Sequence, residues 1–266
     1  MKKIGIVGGI AWRSTADYYA ELCRRAEALT CDPHVPPAMP EIVIESLDIS
    51  KAIGWLGTDG DEDSWRQFDA YHRAALQRLE AAGADFALLA SNTPHHRFAQ
   101  ITRGVGIAVI NLYAVAADAC ARLAARRVLI LGTELTMRSR VLRQVFQSRG
   151  VEVIAPESAQ TRRGLADLIA ELQRGSSPDA LERLGEIVRA SCTPAANGQP
   201  VLTCLACTEL PLAFDAHATR PILQYGGITY VNTLAAHIDA AWKCVIDGEA
   251  CGHLDLAAGP LPRSAP

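Results

Sequence analysis

Short apolar runs rich in β-branched residues alternate along the chain with longer stretches whose apolar positions recur every three or four residues. The short runs cover 3–9, 41–47, 85–91, 106–112, 127–133, 151–156, 200–207 and 220–225. They are apolar almost throughout, as expected for strands covered on both faces of a sheet. The longer stretches, 14–29, 64–84, 112–127, 138–150, 161–175, 179–192 and 229–247, carry the helical period. Ser14 is placed to cap the first helix. Gly83, Gly150 and Gly175 fall just beyond helix ends, where a left-handed residue is favoured. Strands and helices in alternation predict an α/β protein with mostly parallel sheets flanked by helices.

The pattern runs twice. Each half opens on a strand that enters a Gly-containing polar turn, IVGGIAWRST (6–15) and LILGTELTMRS (129–139). Each later reaches a strand end followed by small polar residues, ASNT (90–93) and ACTE (206–209). The second strand end carries a thiol, Cys207, where the first carries a hydroxyl, Ser91. The expected division is a first lobe, 1–115, joined by the last helix at 229–247, and a second lobe, 116–228. A Pro-rich tail, 248–266, should be frayed. The lobes should be pseudo-symmetric, with a site between them.

Composition narrows the function. The chain has 266 residues, 49% hydrophobic and 21% charged, with a net charge of −3. That mixture is ordinary for a globular protein, and it lacks the basic footprint of a nucleic-acid binder. No apolar run approaches the roughly 20 residues that span a bilayer. The opening MKKIGIVGGIAW is broken by Gly8 and Gly9 and reads as a strand rather than a signal peptide, so a cytoplasmic location is expected. The eight cysteines should then be free thiols. Cys204 and Cys207 form a C-x-x-C, but Cys204 sits inside a strand and no second ligand pair is clear, which argues against metal or redox use.

In an open parallel sheet, ligands bind beyond the carboxyl ends of the strands. That rule gathers GGIAWRST, ASNTPHH, GTELTMRS and CLACTEL around one cleft. The loops are rich in Gly, Ser, Thr and Asn, and each leads toward a helix start, which suits a small carboxylate. Neither phosphate-binding glycine pattern is complete, so a nucleotide site is poorly supported. Cys207 is the reactive candidate, its thiol expected below the usual value of about 8.5 beside a helix N-terminus. Ser91 serves either as a cap or as a reactive hydroxyl. His95 and His96 read as solvated helix-face residues. Arg13, Arg162 and Arg163 offer guanidinium forks for carboxylates, although surface ion pairs are the commoner use. No metal, flavin or pyridoxal phosphate is called for, and none of the four lysines, Lys2, Lys3, Lys51 and Lys243, stands in a Gly-rich pocket.

Taken together, IGIVGGIAWRST, LLASNTPHH, LGTELTMRS and LACTELPL resemble the cofactor-independent aspartate/glutamate racemase family over about residues 2–246. The resemblance implies two pseudo-symmetric α/β lobes, a homodimer, and proton transfer at the Cα of an amino acid by one cysteine from each lobe. The second of those cysteines falls on Cys207 and the first on Ser91. By the same resemblance Gly8, Gly9, Asn92, Thr93, Thr133, Thr136 and Thr208 bind substrate, and Arg162 meets a distal carboxylate. Arg13 replaces a Glu of the first family motif, and Asn232 replaces a His on the last helix. A lone thiol leaves three outcomes open: a racemase using Ser91 as the weaker acid, a single-cysteine lyase or isomerase similar to arylmalonate decarboxylase, and a non-catalytic carboxylate-binding protein.

Overall fold

The computed structural model describes residues 1–32, 34–175, 177–192, 202–214 and 220–247. The tail expected at 248–266 and Cys251 lie outside the described residues.

The first half runs β1 (Ile4–Gly8), α1 (Trp12–Glu27), β2 (Ile42–Ser46), α2 (Ile49–Gly54), α3 (Arg66–Ala81), β3 (Phe86–Leu89), α4 (Phe98–Ile101) and β4 (Ala108–Ile110). Then α5 (Leu112–Arg122) leads into β5 (Arg127–Gly132), α6 (Glu134–Arg138), α7 (Arg140–Gln147), β6 (Glu152–Ile154), α8 (Ala159–Arg174) and α9 (Ala180–Ser191). The chain finishes with β7 (Leu202–Ala206), β8 (Ile222–Tyr225), β9 (Ile228–Asn232) and α10 (Thr233–Asp247).

Two sheets result, ordered β2-β1-β3-β4 and β6-β5-β7-β9-β8. Every pairing is parallel except β8 with β9. Without that edge strand the two orders are the same, so the repeated pattern in the sequence is a repeated topology. In both halves the strand that ends in ASNT or ACTE lies next to the strand that opens the half.

Continuous apolar strands are explained by cover on both faces. On one face of the first sheet, Ile4, Ile6, Phe86 and Leu88 pack against Tyr18 and Leu22 of α1 and Leu234, Ile238 and Ala241 of α10. On the other, Val7, Ala87, Leu89 and Val109 meet Phe68, Leu76 and Leu79 of α3. In the second sheet Val128, Ile130 and Cys204 face α5 and α7, while Leu129, Leu131 and Leu205 face α8 and α9. Cys204 and Cys207 therefore sit in different core layers.

Several expected boundaries move. Residues 228–232 form a strand, and the last helix starts at Thr233, where Asn232 Oδ1 accepts from Leu234 N and Ala235 N. Ser14 lies buried inside the first turn of α1, which begins at Trp12 after Ala11 without a side-chain cap. Gly83, Gly150 and Gly175 do adopt positive φ, at 79°, 72° and 125°. The boundary expected at 115/116 falls within α5. Val115 packs with the first sheet's cluster, while Leu112, Ala116 and Cys120 pack with the second's, so this helix is shared.

That shared helix starts at a buried cap. Asn111 Oδ1 accepts from Tyr113 N at 2.9 Å and Ala114 N at 3.3 Å. Asn111→Ala is expected to lower the unfolding free energy by about 1–2 kcal/mol, because the cap is buried and both amides lose their acceptor. The check is the shift of the urea midpoint at unchanged slope.

Candidate active site

A cavity of about 420 Å³ opens between the carboxyl ends of the two sheets. Ser91, Asn92, Thr93 and Pro94 line it from the end of β3, Thr133, Glu134 and Leu135 from the end of β5, and Cys207, Thr208 and Glu209 from the end of β7. Ile10 and Ala11 of the β1–α1 turn, residues of α2 and α3, and Gln173 of α8 complete it. Parallel strand order brings these loops together: β3 is beside β1, and β7 beside β5. Ser91 and Cys207, far apart in sequence, thus share one hollow.

Cys207 is 5% exposed. Its thiol donates to Glu209 Oε2 at 2.9 Å, and Thr208 Oγ1 donates to the same oxygen at 3.3 Å. Gln173 Nε2 donates to Glu209 Oε1 at 3.2 Å. Burial drives the Cys207 pKa well above the usual thiol value, and the neighbouring Glu209 carboxylate adds to the rise by charge and by accepting the S–H. This reverses the expected lowering. The segment after Cys207 forms only a four-residue 3-10 helix, Leu210–Ala213, too short for a large dipole. The resting group is a neutral thiol aimed at a carboxylate.

The opposite strand end is fixed by neutral contacts. Asn92 Nδ2 donates to Thr233 Oγ1 at 3.4 Å, and Thr233 Oγ1 donates to Leu205 O at 2.8 Å. The Ser91 end of one sheet is thereby tied to the Cys207 strand of the other. Asn92 Oδ1 is buried and has no hydrogen-bond partner among the described residues. Beneath the cavity His72 is neutral: Nδ1 donates to Phe68 O at 2.8 Å, and burial pushes its pKa down to about 4.

Other sequence candidates fall elsewhere. Gly8 does not line this cavity. A Cβ there would come within 2.4 Å of Thr15 Cγ2, so glycine serves close packing of the β1–α1 turn. Gly9, at φ 88°, lines a smaller side cavity. Thr136 is buried against Thr133, their hydroxyls 3.0 Å apart, and its N–H donates to the Thr133 Oγ1 that caps α6. Arg162 lines a separate hollow and donates to Pro156 O at 3.0 Å and Glu157 O at 2.7 Å. Arg163 is exposed.

His95 and His96 are both buried, against the expectation of solvated residues. His95 accepts from Leu112 N, and His96 bridges Ser139 Oγ and Asp59 Oδ1, each at 2.9 Å. Arg97 beside them grips Asp69 and Glu62 through all three guanidinium nitrogens.

The same arrangement of strand ends occurs in known proteins. A family model for Asp/Glu/Hydantoin racemase matches residues 7–241. The chain belongs to the Asp/Glu/hydantoin racemase family. Its similarity extends to a broad specificity amino-acid racemase of Bacillus subtilis, 22% identical over 88% of this chain and 98% of that protein. Among solved structures, an aspartate racemase homologue from Pyrococcus horikoshii is 25% identical, covers 90% of this chain and 97% of its own, and superposes with a TM-score of 0.69. A putative Asp/Glu racemase from Yersinia pestis matches in fold with a TM-score of 0.71 at 23% identity, covering 91% of this chain and 98% of its own. Racemases are isomerases, so the family places the chain in that enzyme class.

Within this family member the residues missing from the sequence reading are Glu209 and Gln173. Glu209 was visible as the third residue of CTE, but its contact with the thiol depends on both being dry. Gln173, on a helix far from the strand ends in sequence, gave no signal.

Replacing Glu209 with Gln removes the negative charge and the strong acceptor but leaves Cys207 buried. The pH midpoint of Cys207 alkylation by iodoacetamide, followed on its own peptide by mass spectrometry, should therefore fall in E209Q. It should remain above about 8.5, because desolvation persists. An unchanged or higher midpoint would show that Glu209 does not control the thiol.

Proposed function

We propose that this chain is a cofactor-independent amino-acid racemase, on the observation that Ser91 and Cys207 line a single cavity from opposite lobes. Cys207 passes its proton to Glu209 Oε2 and, as thiolate, takes the Cα proton of the substrate. The electron pair left on Cα spreads into the substrate carboxylate. Hydroxyl groups of Thr93 and Thr133 stand ready to donate to that carboxylate, Thr208 adds its own by turning away from Glu209 as that carboxylate takes the thiol proton, and Asn92 Oδ1 offers an acceptor to the α-ammonium. A proton returned from sulfur to the same face restores the starting enantiomer. A proton given from the other side, by Ser91 or by a water it holds, inverts the centre; solvent then resupplies the oxygen, and Glu209 gives up to solvent the proton it took from the thiol, which regenerates the carboxylate beside a neutral Cys207. Arg162, engaged by backbone carbonyls outside the cavity, is left without a substrate role. The lobe division, 1–115 with the last helix and 116–228, is retained with α5 shared between the halves. A homodimer and a cytoplasmic location belong to the same reading; among the described residues no helix is long and apolar enough to cross a membrane.

The two faces are chemically unequal. A thiol is a far stronger acid than a hydroxyl, so transfer at the sulfur face is fast and transfer at the oxygen face slow. The expected result in deuterium oxide is loss of the Cα proton of one enantiomer well ahead of loss of optical rotation. Ser91→Cys should raise the inversion rate and narrow that gap. Glu209→Gln should slow exchange by about 10²–10⁴-fold, the usual size of a general acid–base contribution. Proton NMR and polarimetry on the same samples decide it: a panel of both enantiomers showing neither exchange nor inversion would remove the racemase reading.

The lone thiol facing a hydroxyl also suits one-sided protonation after decarboxylation, as in a single-cysteine lyase. Turnover of a disubstituted malonate to one enantiomer, without amino-acid exchange, would select that alternative.

A further inference from the structure

The walls of the cavity are unlike those needed for a dicarboxylate. We infer that the side-chain subsite takes a monocarboxylate amino acid with an apolar side chain of about leucine to phenylalanine size, an inference that rests on the racemase reading. Ile10, Ile49, Ala52, Ile53, Leu56 and Phe68 form one side of the cavity. Among the described residues no Lys or Arg lines it, whereas two acids, Glu134 and Glu209, do.

The nearest guanidinium groups have other partners. Arg13 lines the adjoining side cavity, where it stacks on Trp12 at 4.5 Å and donates to Gln173 O at 2.7 Å. Arg162 lies in a different hollow, held by two carbonyls and 3.6 Å from Glu134. A distal carboxylate would enter among aliphatic groups with no cation to meet it and two carboxylates nearby. That burial is strongly unfavourable. Glu134 is itself paired with Arg138 at 2.7 Å, so it is not free to favour a basic side chain either.

The exposure of α2 points the same way. Ile49, Ile53 and Leu56 are 40%, 59% and 41% exposed, and all three line this cavity. Single exposed apolar residues are ordinary, but three on one short segment facing one hollow form a surface that an apolar side chain would cover.

The test is a Cα exchange survey in deuterium oxide by proton NMR, at equal concentrations of both enantiomers of leucine, methionine, phenylalanine, alanine, lysine, aspartate and glutamate. Leucine, methionine or phenylalanine should exceed alanine by about 10- to 100-fold in kcat/KM, the scale on which hydrophobic pockets discriminate. Aspartate, glutamate and lysine should fall below all of them. Ile53→Arg places a cation on an exposed helical position, so the fold should be kept, as circular dichroism can verify. It should cut leucine exchange at least ten-fold and raise that of glutamate. Exchange of aspartate, glutamate or lysine at rates equal to or above leucine overturns the inference while leaving the racemase reading intact. Unchanged leucine exchange in Ile53→Arg overturns it too, by removing α2 as the side-chain wall. A panel with no exchange at all removes the racemase reading, and the substrate class falls with it.

Discussion

The arrangement of this site depends on a carboxylate kept dry beside a thiol. Glu209 is 7% exposed, and among the described residues no cation is bonded to it. Its three hydrogen bonds among those residues come from neutral groups: the Cys207 thiol, the Thr208 hydroxyl and the Gln173 amide. Neutral donors satisfy the oxygens without cancelling the charge. The carboxylate therefore remains a strong acceptor for the thiol proton, and it opposes a second negative charge on sulfur. Burial and the Glu209 carboxylate favour Cys207 as a thiol, and in the proposed mechanism it becomes a base as its proton moves to Glu209. The position of Gln173 matters for the same reason, since it holds one oxygen and leaves the other turned to the sulfur.

A second constraint is the spacing of the lobes. Three polar links cross from one half to the other around the cavity. Asn92 reaches Thr233, which is tied to the Leu205 carbonyl of β7. His96 of the first half meets Ser139 of the second. Arg13 of α1 donates to the Gln173 carbonyl of α8, the residue whose side chain clamps Glu209. Leu135 adds an apolar contact by packing into the first half's core. The gap between Ser91 and Cys207 is set by these contacts, because each half is otherwise a rigid sheet covered on both faces. His95 and His237, both buried and neutral, belong to this framework: His237 accepts from Tyr18 at 2.8 Å and its other nitrogen donates to Ile110 O.

The parallel α/β pattern and the duplicated half were legible in the sequence because continuous apolar strands and helical periods are dictated by burial on sheet faces. The pairing of Ser91 with Cys207 followed from where parallel strands end. What the sequence hid was set by tertiary surroundings. TYVN at 229–232 runs into the helical pattern of α10 with no Gly or Pro between, so the change from strand to helix rests on the Asn232 cap alone. His95 and His96 looked solvated because histidine on a helix face is commonly exposed. They lie on a 3-10 turn, Thr93–Arg97, wedged between the halves. The direction of the Cys207 shift was misjudged since a short helix was credited with a dipole, while the burial that outweighs it is not written in any local pattern.

The apolar wall and the elevated thiol have one origin. Apolar residues from α2 and α3 line the cavity, and the same apolar surroundings that would favour an apolar substrate side chain disfavour charge on sulfur. A thiolate formed there is a stronger base than one in water, by the same amount that its pKa is raised. That suits a substrate whose Cα–H is a very weak acid: a thiolate stabilised by solvent or cations would be abundant but poorly basic. In the proposed mechanism the cost of making the anion falls on Glu209, which lies within hydrogen-bond reach of the thiol. An added cation in the wall would lower the thiol pKa and admit a distal carboxylate together. On that reading, substrate preference and the basicity of Cys207 are set by one set of walls and change together.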